Sequence, residues 1–371
     1  MNDLILTQLS EEFKKMVEKI MIEERKRYLK EHKNTRANGY YTRRPKTILG
    51  EMELNVPRTR DGEFKSSVLP ERKRFMFALD DIVKAMFISG ISARKTGRVL
   101  ENLVGSSISP SFVSSLSDVA EEEVERFKSR RLTQSYPVLY LDATYVALKR
   151  DSVQKEAVYA VLGLRDDGKR EILTYTLPGG DEKASIWREI FEDLINRGLK
   201  GVRMIVSDNL TGLDNVIDEL FPDAEHQLCW FHLKKNLKNK ARKRHWDEIK
   251  EELDDILDSD TQEEAKKKMQ AFVEKWSRLY RHIVNLKSKI NNYLHFLKFP
   301  KNIRIYLRTT NWMERCFKEL KDSLRIRGYM HSEKSAEKFL YLFFTEKNSK
   351  YLSRKLRYSD TLQEVFNGWN A

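Results

Sequence analysis

Cysteine is nearly absent: 371 residues hold two, Cys229 and Cys316. So few thiols exclude a disulfide framework and point to a reducing compartment, so the chain reads as cytoplasmic. "CWFH" offers Cys229 and His232 as metal ligands, but no second C-x-x-C or H-x-H pair accompanies them. A structural zinc needs four ligands, which makes a small buried thiol and a histidine supporting a site the better reading. Long apolar runs are missing too. No stretch approaches the roughly 18 residues of a membrane span, and the N-terminus carries no signal-peptide pattern, so no membrane partner is expected. Acidic residues are the minority charge, 56 against 69 basic, a net charge of +13. That excess favours a polyanion, most often nucleic acid, through phosphate contacts and counterion release. A content of 40% hydrophobic and 34% charged residues is that of a folded globular chain, long enough for two or three domains.

The pattern along the chain predicts five regions. Residues 1–74 begin with a helix carrying Phe13, Met16, Val17, Ile20 and Met21 on one side. A turn at "TRANGYYTRRP" and a short hairpin follow, with Ile48, Met52, Leu54 and Val56 strand-like and Gly50 and Asp61-Gly62 as turn signals. Tyr40, Tyr41, Arg43 and Arg44 suit either a DNA-contacting appendage or a solvated linker. Residues 75–131, starting at Phe75, read as three short helices. The first ends at Gly90, a natural C-terminal cap, the second starts at Ser92, and the third starts at Ser109 with Pro110 in its first turn. That layout fits a helix-turn-helix module, with Arg94, Lys95 and Arg98 as DNA contacts, or an ordinary helical connector.

Residues 132–234 change to strands. "YPVLYLDATYVALK" reads as a buried strand and "EAVYAVLGL" and "REILTYTLP" as a hairpin. Helix, apolar strand "GVRMIVSDN", helix and strand "AEHQLCWFH" follow, which together make an α/β sheet core. Residues 235–305 are lysine-rich and helical, an insertion, and residues 306–371 resume the core with "TTNWMERCFKELKDSLRIRGYM". On that helix Met313, Phe317, Leu320 and Leu324 form the apolar stripe. Glu314 shares an adjacent face with Lys318, Lys321 and Arg325, the candidate phosphate contacts.

Three carboxylates stand out. Asp142 interrupts an apolar strand, Asp208 ends another, where sites form in α/β sheets, and Glu314 lies at the edge of a core helix. Each has an ordinary use: Asp142 capping a turn, Asp208 capping a helix, Glu314 pairing with Lys318. Brought together they repel, two charges 4 Å apart by about 4 kcal/mol at an effective dielectric of 20. Oxygen ligands alone suit Mg²⁺ or Mn²⁺, and two such ions about 3.5–4 Å apart serve phosphoryl transfer.

At "DATYV", "SDNLTGL", "FPDAEHQLCWFHLKKN" and "TTNWMERCFKELK" the sequence resembles the IS256/Mutator family of DDE transposases. Upstream "RPKTILGEMELNVPRTRDGEF" and "GISARKTGRVLENLVGSSISPSFVSSLSD" resemble it too, so the likeness covers most of the chain. It implies an RNase H-like mixed sheet with helices on both faces, interrupted by a helical insertion before the last acidic helix. Asp142, Asp208 and Glu314 match the family's catalytic, metal-binding acids, and Cys229 and His232 match its Cys/Asp-x-x-His element. The first block reads Asp-Ala-Thr where many members have Asp-Gly, a change that leaves the acid in place. The resemblance further implies two divalent ions, binding of double-stranded terminal inverted repeats and target DNA, strand cleavage with 3′-OH joining, and a homo-oligomer on DNA. A non-catalytic regulator derived from a transposase, or an RNase H-like nuclease or resolvase, are the alternatives.

Overall fold

The computed structural model describes residues 2–47, 50–66, 69, 79–104, 121–149, 152–179 and 184–370. The chain divides into two compact units, Met1–Asp118 and Val119–Ala371. In the first, helix α1 (Asn2–Glu31) precedes strands β1 (Ala37–Arg43), β2 (Lys46–Thr47), β3 (Gly50–Glu51) and β4 (Leu54–Thr59), then helices α2 (Leu79–Ile88) and α3 (Ala93–Val104). β1 pairs with β4 and β2 with β3, both antiparallel. Val17 and Met21 of α1 are buried with Met52, Leu54, Val56 and Leu69, whereas Ile20 is exposed, off the stripe that helical spacing assigned it to. The expected turn at 35–45 is instead strand β1. Its residues are almost all exposed, so no in-out alternation marked it. Arg25 of α1 ties the hairpin down by donating to the carbonyls of Gly39 and Arg58.

α2 ends as expected. Gly90 is left-handed (φ +84°), and the amides of Gly90 and Ile91 return to the carbonyls of Phe87 and Met86. Ser92 Oγ accepts from the Lys95 amide at 3.4 Å, a cap for α3. The expectations at Ile48, Phe75, Ser109 and Pro110 lie outside the described residues.

The described residues of the second unit begin with α4 (Glu121–Ser129), inside the stretch read as the third short helix, followed by β5 (Val138–Lys149), β6 (Val153–Leu164), β7 (Arg170–Thr176), α5 (Ala184–Asn196), β8 (Met204–Ser207), α6 (Leu213–Leu220), β9 (Glu225–Leu228) and α7 (Trp230–Lys240). The strand expected over "AEHQLCWFH" is therefore short. Past Leu228 the chain turns into α7, which lets Trp230, Leu233 and Leu237 bury one face at helical spacing. The lysine-rich stretch forms α8 (Lys243–Leu257), α9 (Gln262–Ser277), α10 (Ile290–Leu294) and α11 (Arg304–Leu307), with 3₁₀ turns at Arg281–Lys289 and His295–Lys298. α12 (Asn311–Arg327), α13 (Glu333–Leu352) and α14 (Ser359–Asn370) close the chain.

The sheet order is β7–β6–β5–β8–β9, with β6 antiparallel to both neighbours and β5, β8 and β9 mutually parallel. Alternation along β5 sends Leu139 and Leu141 into a cluster with Trp187, Phe191, Ile205 and Ile217, beneath α5 and α6. The even residues face the other way. Tyr140 packs edge-on to Trp312 of α12, so Asp142, two residues on, shares the α12 side. The edges are covered by side chains that complete the ladder. Asn348 of α13 exchanges hydrogen bonds with both main-chain groups of Ile172 in β7, and Gln227 in β9 bonds Tyr293 and Phe296.

Candidate active site

Strand register brings the first two acids level. Tyr140 pairs with Val206 and Ser207 with Leu228, in parallel. Asp142 stands two residues beyond Tyr140 and Asp208 two beyond Val206, so they leave adjacent parallel strands at one height. Cys229, next after Leu228, ends the third strand in the same row. This is the carboxyl end of a parallel set, the place where α/β sheets form sites.

Two helices complete the group. His232 lies in the first turn of α7 and Glu314 in the first turn of α12. His232 Nε2 is 3.0 Å from Glu314 Oε1 and 4.0 Å from Asp142 Oδ1. Ligand atoms of Asp142, His232 and Glu314 all fall within 4.8 Å of one another. Asp208 is not in that trio; its Oδ2 lies 3.4 Å from the other ring nitrogen, Nδ1. The imidazole therefore separates Asp208 from the Asp142–Glu314 pair.

The trio fits a cation. Glu314 Oε1 and His232 Nε2 are buried and form an ion pair at 3.0 Å whose geometry falls short of a well-aligned hydrogen bond, and Asp142 Oδ1 stands 4.0 Å from the same nitrogen. Two carboxylates and an imidazole converging within 4.8 Å are a donor set that a divalent metal ion would satisfy. Burial disfavours a charged His232, but Glu314 and the charges of Asp208 and Asp142 outweigh it and hold its pKa above the ordinary histidine value.

Cys229 joins the site's supports. Its amide donates to the Ser207 carbonyl, its sulfur lies 3.3 Å from Thr310 Oγ1, and it accepts from the Thr310 amide, the cap position of the Glu314 helix. Burial pushes the thiol up to about 11, so it packs rather than reacts. Beneath Asp208 runs a chain that sequence reasoning missed. Ser207 Oγ donates to the Asp208 carbonyl (2.8 Å) and lies 2.7 Å from His226 Nε2; His226 Nδ1 lies 2.5 Å from Asp214, which also pairs with Lys289. The order Ser–His–Asp is that of a nucleophilic triad, but Ser207 is fully buried, so the chain fixes the end of β8. Nothing in the spacing of these residues marked it.

A cleft of about 530 Å³ opens over the trio, and Phe231, Lys235, Asn311, Lys318 and Lys321 also line it. Arg325 lies beyond it, highly exposed and 3.8 Å from Asp322. Arg94, Lys95 and Arg98 are exposed on α3 in the first unit. Phe231 and Asn311 were not singled out by the sequence; Phe231 sat in a segment read as strand.

Fold and site define an α/β protein with an acidic, partly buried centre at the carboxyl edge of a mixed sheet, beneath a basic cleft. The chain belongs to the Mutator family of transposases, whose pattern its residues 1–353 match. It is 30% identical over 333 residues to the transposase for insertion sequence element IS905 of Lactococcus lactis, 89% of this chain and 85% of the relative. It is 32% identical to the transposase for insertion sequence element ISRM5 of Rhizobium meliloti, over 79% of this chain and 73% of the other. The transposase for IS256 in transposon Tn4001 of Staphylococcus aureus is 35% identical over a shorter stretch, 56% of this chain and 53% of the relative. Among the described residues no helix is long and apolar enough to cross a membrane.

Proposed function

We propose that the chain is a DDE transposase that cuts DNA strands by water attack at the ends of an insertion sequence and joins the 3′-OH ends to target DNA. The observation that carries this is the convergence of Asp142, Glu314 and His232 within 4.8 Å under a lysine-lined cleft. Asp142, Asp208 and Glu314 would hold two Mg²⁺ or Mn²⁺ ions, and His232, in contact with all three, would add its imidazole to that donor set. When bound, those ions supply Lewis-acid stabilisation of the attacking and leaving oxygens. Lys318 and Lys321 hold the phosphates on either side of the scissile bond, Arg325 extends that grip along α12, and Cys229 and His232 support the acids. The five-strand order supports an RNase H-like sheet, with 235–305 as its insertion.

Residues 1–74 and the helices of 75–131, with Arg94, Lys95 and Arg98, bind the terminal inverted repeats through a helix-turn-helix reading head. The protein works as a homo-oligomer on paired ends, in the cytoplasm and on the nucleoid. The test is strand cleavage and joining on duplexes copied from the ends flanking the gene, with Mg²⁺ and then with a chelator. The wild-type chain cuts and joins with Mg²⁺ only. Asp142→Asn keeps DNA binding and loses both reactions. Binding without cleavage by the wild-type chain would make it a regulator, and cleavage without joining a nuclease or resolvase.

A further inference from the structure

Phe231 is 42% exposed, although Trp230 before it is buried. Trp230, Leu233 and Leu237 fill the buried face of the helix, and Phe231 lies off that stripe, its ring edge-on to His232 at 5.8 Å and otherwise outside the core. It lines the same cleft as Asp142, His232 and Glu314. Lys235, one turn along, holds its ammonium 6.0 Å from the ring centroid, and Lys318 and Lys321 stand on the α12 wall. A partly exposed aromatic ring among cations has the composition of a platform for a nucleobase whose phosphates the lysines hold. A base stacked and paired inside a duplex cannot offer its face, so the ligand is a base that has left the helix.

We infer that Phe231 is a stacking subsite for one unpaired nucleobase beside the phosphodiester held at Asp142 and Glu314. The inference rests on the cleft taking DNA, as proposed above. It assigns Phe231 a binding role, not a chemical one. Phe231 compensates part of the stacking forfeited when the terminal pair opens, and Lys235 holds the adjoining phosphate. A face-on contact of this kind tolerates any base, so it adds grip and strand opening without sequence preference.

The experiment places 2-aminopurine at successive positions across the cleavage site of a duplex copied from the gene's own flanking ends. The full-length chain is used as wild type, Phe231→Ala and Phe231→Trp. The wild-type chain should change the fluorescence at one position next to the cut, and Phe231→Ala should not, while Phe231→Trp restores the change. Cleavage of the paired end should fall about tenfold in Phe231→Ala, the scale of removing one base–aromatic stack. A mismatch at that position should recover most of the loss, because the pair no longer needs opening. Equal fluorescence and equal cleavage in wild type and Phe231→Ala would overturn the subsite. So would a loss in Phe231→Ala that neither the mismatch nor Phe231→Trp relieves, since that marks a structural defect. A wild-type chain that cleaves nothing refutes the catalytic reading instead, and the fluorescence comparison still decides the stacking.

Discussion

Asp142 occupies a position that alternation along β5 gives to a half-buried side chain, and its exposure is only 10%. A carboxylate held there beside Glu314 repels it, and His232 offsets that repulsion only in part, so neutralising either acid should relieve the remainder. Asp142→Asn and Glu314→Gln are each expected to keep or raise the melting temperature. Each should lower strand cleavage by about 10²–10³-fold, the scale of one removed electrostatic group in a catalytic site. Calorimetry and a cleavage assay on the same preparations check both halves. Cys229→Ala should cost about 1–2 kcal/mol, within the usual range for a buried substitution, because the sulfur bridges α7 to the cap of α12.

Asp214 gives a pH signature. Its hydrogen bond to His226, opposed by burial and aided by Lys289, holds its pKa down to about 2 from 3.8. A carboxyl with a folded pKa below its unfolded one stabilises the fold above the unfolded value and loses that contribution as pH falls toward the folded one. The unit should therefore lose stability between about pH 4 and pH 2, and Asp214→Asn should flatten that slope in acid titrations followed by circular dichroism. Legibility at this scale was uneven. Asp142 was visible because it interrupts an apolar strand, Asp208 because it ends one, and Glu314 because it borders an apolar helix stripe. Ser207, His226 and Asp214 were not, since a buried polar chain is assembled by tertiary contact and leaves no periodic trace.

The same contrast holds for the secondary-structure elements. β5, the β6–β7 hairpin and β8 were legible as short apolar runs buried largely on both faces, and α5 and α6 as helices with one buried face at a period of 3.6. On α12 the apolar stripe is buried as read, with Met313, Phe317, Leu320 and Leu324 all in the core. β1 was missed because its residues are exposed, and the end of β9 because α7 begins within an apolar run. The basic rows yield a measurable expectation. Lys318→Ala with Lys321→Ala should weaken binding of end duplexes and reduce the salt slope of log K by about 2, one unit for each phosphate no longer neutralised. Arg325→Ala, outside the cleft, should cost less in cleavage than either lysine.

For the whole molecule, a net charge of +13 spread over two compact units calls for an extended polyanion. If six to ten phosphates are engaged, binding should weaken by about 10³–10⁵-fold between 50 and 200 mM salt. Composition made that partner class legible. It could not reveal that His232 sits between Asp208 and the other two acids, because strands and helices distant in sequence meet there. The central claim is that this assembled centre takes up divalent cations for work on DNA. Its most direct test is a Mn²⁺ titration, followed by electron paramagnetic resonance, of the full-length chain bound to its end duplex. Wild type and Lys318→Ala should bind Mn²⁺ saturably, and Asp142→Asn and Glu314→Gln should lose that uptake. Identical Mn²⁺ binding by wild type and Asp142→Asn would contradict the account.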